Sequence, residues 1–277
     1  MNLLKTYPNL SRLLLYVVLT LIALFLVDFL PLPSGTKQVF PFVGLILVVL
    51  ANWILYKTEN KDLDELGFNL KRLNLKYLPI GLALGIIAVL LGYYLKCFLT
   101  GDKIIFNQSI NYLDILKHLY WILPTAAVQE FICRSYAYKK LISIYNLRIA
   151  NLVAVIVFMS MHNIFNIGIL GAIFYSISII IGHFVFANAL LRSGTILFAV
   201  GIHWGSNIAN NQLFTEEKQS TSILFLEKAV QEESTGFNPL GISLYIIALN
   251  IGFILLWIFL NRWRKRKKNY NKTSHNY

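Results

Sequence analysis

Apolar runs of roughly membrane-crossing length recur along the chain, parted by short polar stretches that carry most of the charge. A helical span needs about 20 mostly apolar residues. On that measure the pattern predicts helices over Leu13–Leu30, Phe40–Tyr56, Tyr77–Leu99, Leu116–Tyr136, Ile149–Phe165, Ile167–Leu191, Gly194–Leu213 and Leu240–Leu260. From Ile149 to Leu191 there is no Asp, Glu, Lys or Arg. At roughly 1.5 Å per residue this run is about twice too long for one span. The break is placed at Asn163–Gly168, where Asn163, Asn166 and Gly168 weaken a helix. The expected fold is an all-α integral membrane protein, with about eight transmembrane helices in one bundle.

Composition agrees with the pattern. The 277 residues are 57% hydrophobic and 14% charged, with a mean hydropathy of +0.61. A soluble domain carries about 25% charged residues, so that class is excluded. The net charge of +12 is uneven: the stretch Asn261–Tyr277 holds seven of the 25 Lys and Arg and none of the 13 Asp and Glu. A basic cluster just past a last span reads as an anchor on anionic lipid, here over Arg262–Lys268. Nothing in the chain matches a nucleic-acid-binding signature. Loop charges set the orientation. Lys5, Arg12, Lys57, Lys61, Lys71, Arg72, Lys76, Lys139, Lys140, Arg148, Arg192 and the tail all fall on one side of an eight-span reading. Lys37, Lys103 and a loop with Glu216, Glu217, Glu227, Glu232 and Glu233 fall on the other. The positive-inside rule then puts both termini in the cytoplasm. Lys5 and Arg12 precede the first apolar run, but Asp28-Phe29-Leu30-Pro31 is a poor cleavage site, so this run reads as an uncleaved span. The richness in Asn, Ile and Lys suggests a bacterial cell membrane. Cys97 and Cys133 form neither a disulfide framework nor a CxxC pair.

Two connectors invite structure of their own. Asp62–Lys76 alternates leucines with charges and could lie in the interface, while Thr221–Glu233 could form a short outer helix or a solvated connector. The chain divides into residues 1–61 with two spans, 62–214 with the polar helices, and 215–277 with an acidic loop, the last span and the basic tail.

Four of the expected spans carry groups that hydrocarbon disfavours. Gln129, Glu130 and Arg134 sit in the fourth, and Phe158, His162, Asn163 and Asn166 at the fifth. His183 and Asn188 lie in the sixth, His203 and Asn207 in the seventh. Ionisable groups within a span are rare, and are either functional or tightly paired. Glu130 precedes Arg134 by four residues, the favourable order for a helical pair. His203 and Asn207, and likewise Phe158 and His162, share a helix face at the same spacing. Such a set suits hydrolysis. His or Glu can activate water, and Asn or protonated His can donate to a developing oxyanion. Glu130, His162 and His203 could also hold a divalent metal such as zinc, assembled across helices because no HExxH pair is present. Each residue also has a structural reading: Glu130–Arg134 as an ion pair between helices, the histidines and Asn207 as interhelical hydrogen bonders, Cys133 as a small buried side chain.

The order of these groups resembles the CPBP (Abi) family of intramembrane proteases, relatives of the type II CAAX prenyl endopeptidase. That family's helical motifs EExxxR, FxxxH and HxxxN correspond to Gln129-Glu130-x-x-x-Arg134, Phe158-x-x-x-His162 and His203-x-x-x-Asn207. The turns Leu66-Gly67-Phe68 and Ser193-Gly194-Thr195 are similar as well, so the likeness covers roughly residues 62–214. It implies an intramembrane endopeptidase that cleaves a membrane-associated peptide or protein with activated water. His162 and Glu130 would activate the water, and His203 and Asn207 would stabilise the oxyanion. Arg134 would orient Glu130, with Gln129 and Phe158 in support. One position departs from the family: Gln129 stands where the first glutamate is expected, and an amide cannot accept a proton at physiological pH. That departure keeps a second reading open, a non-catalytic membrane protein such as a bacteriocin self-immunity factor or peptide-binding regulator. A transporter is a third, though no inverted repeat or matching pair of broken helices is visible.

Overall fold

The structure is a computed structural model, and it describes residues 6–29, 42–69, 72–166, 168–215, 221–227 and 239–263. Lys5, Lys37, Lys71, Glu216, Glu217, Glu232, Glu233 and the tail after Trp263 lie outside the described residues, and with them most of the expected lipid anchor.

Helices stand where each apolar run predicted one. The first two are α1 (Pro8–Phe29) and α2 (Phe42–Lys57). A 3-10 turn at Leu63–Leu66 follows, its start capped by the Asp62 side chain accepting from the Asp64 N–H. After α3 (Arg72–Leu75) come α4 (Tyr77–Thr100), the strand β1 (Lys103–Phe106) and α5 (Tyr112–Arg134). Next are α6 (Tyr136–Ile144) and α7 (Leu147–Ser160). The charge-free run breaks as expected: α7 stops at Ser160, a 3-10 turn covers Ile164–Asn166, and Gly168 (φ 73°) opens α8 (Gly168–Ser193). Then come α9 (Ile196–Ile208), a π turn at Ala209–Leu213, β2 (Phe214–Thr215), β3 (Leu224–Glu227) and α10 (Pro239–Arg262).

Among the described residues, three helices are long and apolar enough to cross a membrane: Pro8–Leu26, Tyr77–Thr100 and Gly168–Ser193. The other expected spans are helical but do not all have span character. Phe42–Lys57 and Leu147–Ser160 are apolar and shorter, and α10 is apolar over Ile246–Arg262. The 13 residues of α9 reach only about 20 Å, less than a bilayer core. Their apolarity has another cause: nearly every residue of α9 is buried, so it is the bundle's central helix.

The all-α bundle carries one small sheet that the hydrophobic pattern does not mark. A small sheet of order β1-β3-β2 pairs Lys103–Phe106 antiparallel to Leu224–Glu227, and β2 parallel to β3. Within Thr221–Glu233 the described structure is therefore this strand rather than a helix. Its apolar run is too short for a span and satisfies its backbone by pairing. Phe214 of β2 stacks on Tyr93 at 5.1 Å, which fixes the sheet on the end of α4.

Small residues bring the central helices together. A side-chain carbon at Gly205 would lie 2.1 Å from the Leu82 carbonyl oxygen, and one at Gly85 2.1 Å from that of Ile202. Glycines four apart on both α4 and α9 (Gly81, Gly85; Gly201, Gly205) permit this backbone contact, as in small-xxx-small helix pairs. The entry to α9 is pinned too. Thr195 donates its hydroxyl to the Gly67 carbonyl at 3.0 Å, so the two motif-like turns of the sequence meet in space. The exit from α5 is held by the first two helices. The Tyr16 hydroxyl lies 2.9 Å and 3.0 Å from the Phe131 and Ile132 carbonyl oxygens, and Asn52 Oδ1 accepts from the Tyr136 N–H at 3.0 Å. Outside the helix ends, Glu59 accepts from Lys140 at 2.6 Å and from the Tyr136 hydroxyl at 2.7 Å, tying α2 to α6.

The close approach makes a direct prediction. Gly85→Ala forces a carbon onto the α9 backbone and is expected to destabilise by about 1–3 kcal/mol. Gly44→Ala, with nothing within 4 Å of the new carbon, is expected to be near neutral. Denaturant unfolding in detergent compares the two, and equal effects would contradict this packing.

Candidate active site

Three helices supply the site, each placed by the contacts above. From α5 come Gln129, Glu130 and Arg134, from the end of α7 Phe158 and His162, and from α9 His203 and Asn207. Glu130 and Arg134 are fully buried, and His203 is 3% exposed. A charge so placed must be paired and hydrogen-bonded. Glu130 Oε1 accepts from Arg134 Nη1 at 2.8 Å and meets His203 Nδ1 at 2.8 Å. The carboxylate thus serves the arginine of its own helix and the histidine of the next at once. Its Oε2 is buried with no hydrogen-bond partner among the described residues.

Geometry sets the ring protons. A carboxylate oxygen accepts, so His203 carries a proton on Nδ1 and turns Nε2 away from Glu130. His162 Nδ1 lies 2.6 Å from the Phe158 carbonyl oxygen, which also only accepts, so this Nδ1 is protonated and Nε2 keeps its lone pair when the ring is neutral. Both imidazoles pack edge-on against the Phe158 ring, at 4.7 Å for His162 and 5.7 Å for His203. Phe186 stacks on His203 at 4.8 Å. The Arg134 guanidinium lies 4.5 Å from the Phe158 ring centre and 5.1 Å from that of Phe186, a pair of cation–π contacts within the bundle.

Arg134 has a third partner, which the motifs do not contain. Its Nη2 donates to His183 Nδ1 at 3.1 Å. His183 Nε2 then donates to Asn151 Oδ1 at 3.2 Å, and the Tyr138 hydroxyl donates to the same oxygen at 2.7 Å. His183 stands out in the sequence as a polar group in a span but without a role, and Asn151 and Tyr138 are not singled out there, because Asn151 sits in the run that reads as plain apolar span. A histidine in a charge-free stretch was the available signal.

Gln129 and Asn207 are half-buried, and no hydrogen bond fixes either amide among the described residues. The sequence also raises Glu130, His162 and His203 as a possible metal set. Among the described residues no three His, Cys, Asp or Glu side chains gather as a ligand set. The reason is local: His203 turns Nδ1 to Glu130, Glu130 Oε1 is shared with Arg134, and Phe158 packs against both rings. The residues present do not fit a three-ligand metal, and no step is routed through one. Beside the site, a cavity of about 400 Å³ is lined almost wholly by apolar atoms of α1, α5, α6 and α7, with Cys133 and Met161 next in sequence to Arg134 and His162.

A family model described as Rce1-like, type II CAAX prenyl endopeptidase, matches residues 111–209, from the start of α5 to the end of α9. Over that segment the chain is similar to this family. The Rce1-like segment is a little over a third of the chain and holds every residue of the site. No match was found among curated proteins or among solved structures. The family is a peptidase family of membrane proteins, and the apolar helices of this chain accord with a multi-pass membrane protein.

The shared carboxylate sets an expected energy. Arg134→Met leaves Glu130 with one partner in a dry interior and is expected to cost about 3–5 kcal/mol. Adding Glu130→Gln removes the stranded charge and recovers part of that loss. Unfolding midpoints in detergent test both, and a double variant no more stable than Arg134→Met would contradict the pairing.

Proposed function

We propose that the chain is an intramembrane peptidase that cleaves a membrane-associated peptide or protein with activated water. The observation that carries this reading is the pair of imidazoles, one half-buried and one buried, oriented through Nδ1 and sharing one phenyl ring. His162 is the more accessible and acts as base: its Nε2 takes a proton from water as the oxygen attacks the peptide carbonyl carbon. The carbonyl becomes an oxyanion. His203, neutral at rest with its proton on Nδ1, takes a second proton on Nε2 as substrate binds, balanced by Glu130, and donates from it to that oxygen, with the Asn207 amide one turn further on. On collapse the C–N bond breaks, and the proton held by His162 passes to the leaving amine. Glu130 acts here through His203 rather than on water, because its Oε1 is already shared and its Oε2 is buried out of reach of solvent. The apolar cavity beside α5 and α7 favours a substrate with a hydrocarbon part. Multi-pass placement in the membrane, with both termini cytoplasmic and the basic lipid anchor, belongs to the same proposal.

Gln129 favours a second reading, a non-catalytic peptide-binding protein. As base, His162 has no carboxylate from that position to balance its imidazolium. The test uses the purified chain in lipid nanodiscs with a fluorogenic CAAX peptide, farnesylated and unmodified. Cleavage by the wild type that His162→Ala abolishes, and that Gln129→Glu raises by roughly tenfold or more, is the expected result. Cleavage unchanged by His162→Ala overturns the mechanism. An inactive wild type that gains cleavage with Gln129→Glu supports the non-catalytic reading.

A further inference from the structure

We infer that His183 is a positioning residue: its Nδ1 lone pair fixes the Arg134 fork, and thereby the Glu130 carboxylate and the His203 ring. The inference rests on the proposed reaction for its kinetic consequence, and on geometry alone for the rest. A guanidinium has no acceptor, so the 3.1 Å contact from Arg134 Nη2 requires a lone pair on His183 Nδ1. The ring proton of His183 then sits on Nε2, where Asn151 Oδ1 receives it at 3.2 Å. Asn151 is itself held by the Tyr138 hydroxyl at 2.7 Å. His183 is fully buried, so this orientation is exclusive, since protonating both nitrogens would place two cations in contact.

The consequence runs back along the chain of bonds. Arg134 is wholly buried, and its Nε has no hydrogen-bond partner among the described residues. Its orientation therefore depends on two hydrogen bonds, Nη1 to Glu130 and Nη2 to His183, within the aromatic walls of Phe158 and Phe186. With Nη2 anchored, Nη1 meets only one carboxylate oxygen, and His203 is fixed through that same oxygen. Without the anchor, Nη2 becomes a buried unsatisfied donor, and the fork turns to engage both carboxylate oxygens as a bidentate pair. Glu130 Oε1 then no longer fixes the His203 tautomer. The role needs one acceptor toward Arg134 and one donor toward Asn151, a pair that a glutamine side chain also supplies.

The test uses the full chain in lipid nanodiscs, with His183→Leu and His183→Gln. Nitrogen-15 NMR of labelled histidine reads the tautomers directly. The wild type is expected to show His183 protonated on Nε2 and His203 protonated on Nδ1. His183→Leu is expected to give a mixed His203 tautomer, and His183→Gln to restore a single one. Where the chain cleaves the fluorogenic peptide, His183→Leu should lower kcat roughly tenfold to 100-fold with KM nearly unchanged, as expected of a misplaced catalytic group. His183→Gln should recover most of that loss. Thermal unfolding of each variant separates this from failure to fold. A single His203 tautomer in a folded His183→Leu protein overturns the inference, as does a glutamine variant no better than leucine. The tautomer measurement needs no turnover, so it decides the point even if the chain proves inactive.

Discussion

A carboxylate buried among apolar helices is the constraint on which the structure turns. Glu130 is fully enclosed, and an ion in that setting is costly unless its partners are close and well aimed. One partner, Arg134, comes from the same helix at the favourable spacing, and the other, His203, from α9. The second contact requires α9 to run deep in the bundle. Glycines on α4 and α9 allow that approach, and the joined turns at Gly67 and Thr195 set where α9 begins. The break after Arg134 is held from outside by Tyr16 and Asn52, so the first two helices, which lie beyond the Rce1-like segment, also serve the site.

Much of this was legible in the sequence. The apolar runs marked the helices, and Asn163–Gly168 marked the break in the charge-free region, because hydrophobic length and helix-weakening residues act locally. The motif spacing placed Glu130, Arg134, Phe158, His162 and His203, and the structure brings them together. What failed to show depends on contacts distant along the chain. The apolarity of α9 records burial by neighbouring helices, which a hydropathy pattern cannot separate from burial in lipid. The strands β1 and β3 pair backbone across more than 100 positions of sequence, with only brief apolar runs to mark them. His183 looked like an isolated polar group in a span because its partners, Arg134 and Asn151, lie on other helices.

In the proposed reaction the site does two kinds of work: Arg134 and His183 hold a charge in place, while the His162 and His203 rings present their remaining nitrogens for chemistry. Glu130 joins the two parts, since a single oxygen belongs to both. Gln129 changes only the reactive part. The ion pair, the aromatic walls and the helix packing are all intact around it, so the fold does not depend on whether a carboxylate stands at that position.

The central claim is that one carboxylate oxygen of Glu130 binds Arg134 and His203 together. Dipolar-recoupling solid-state NMR on the chain in lipid bilayers, with carbon-13 glutamate and nitrogen-15 arginine and histidine, tests it most directly. The account predicts that the Glu130 carboxylate carbon couples at hydrogen-bonding range to both an Arg134 Nη and His203 Nδ1 in a single population. Coupling to Arg134 alone, with His203 distant, would contradict it.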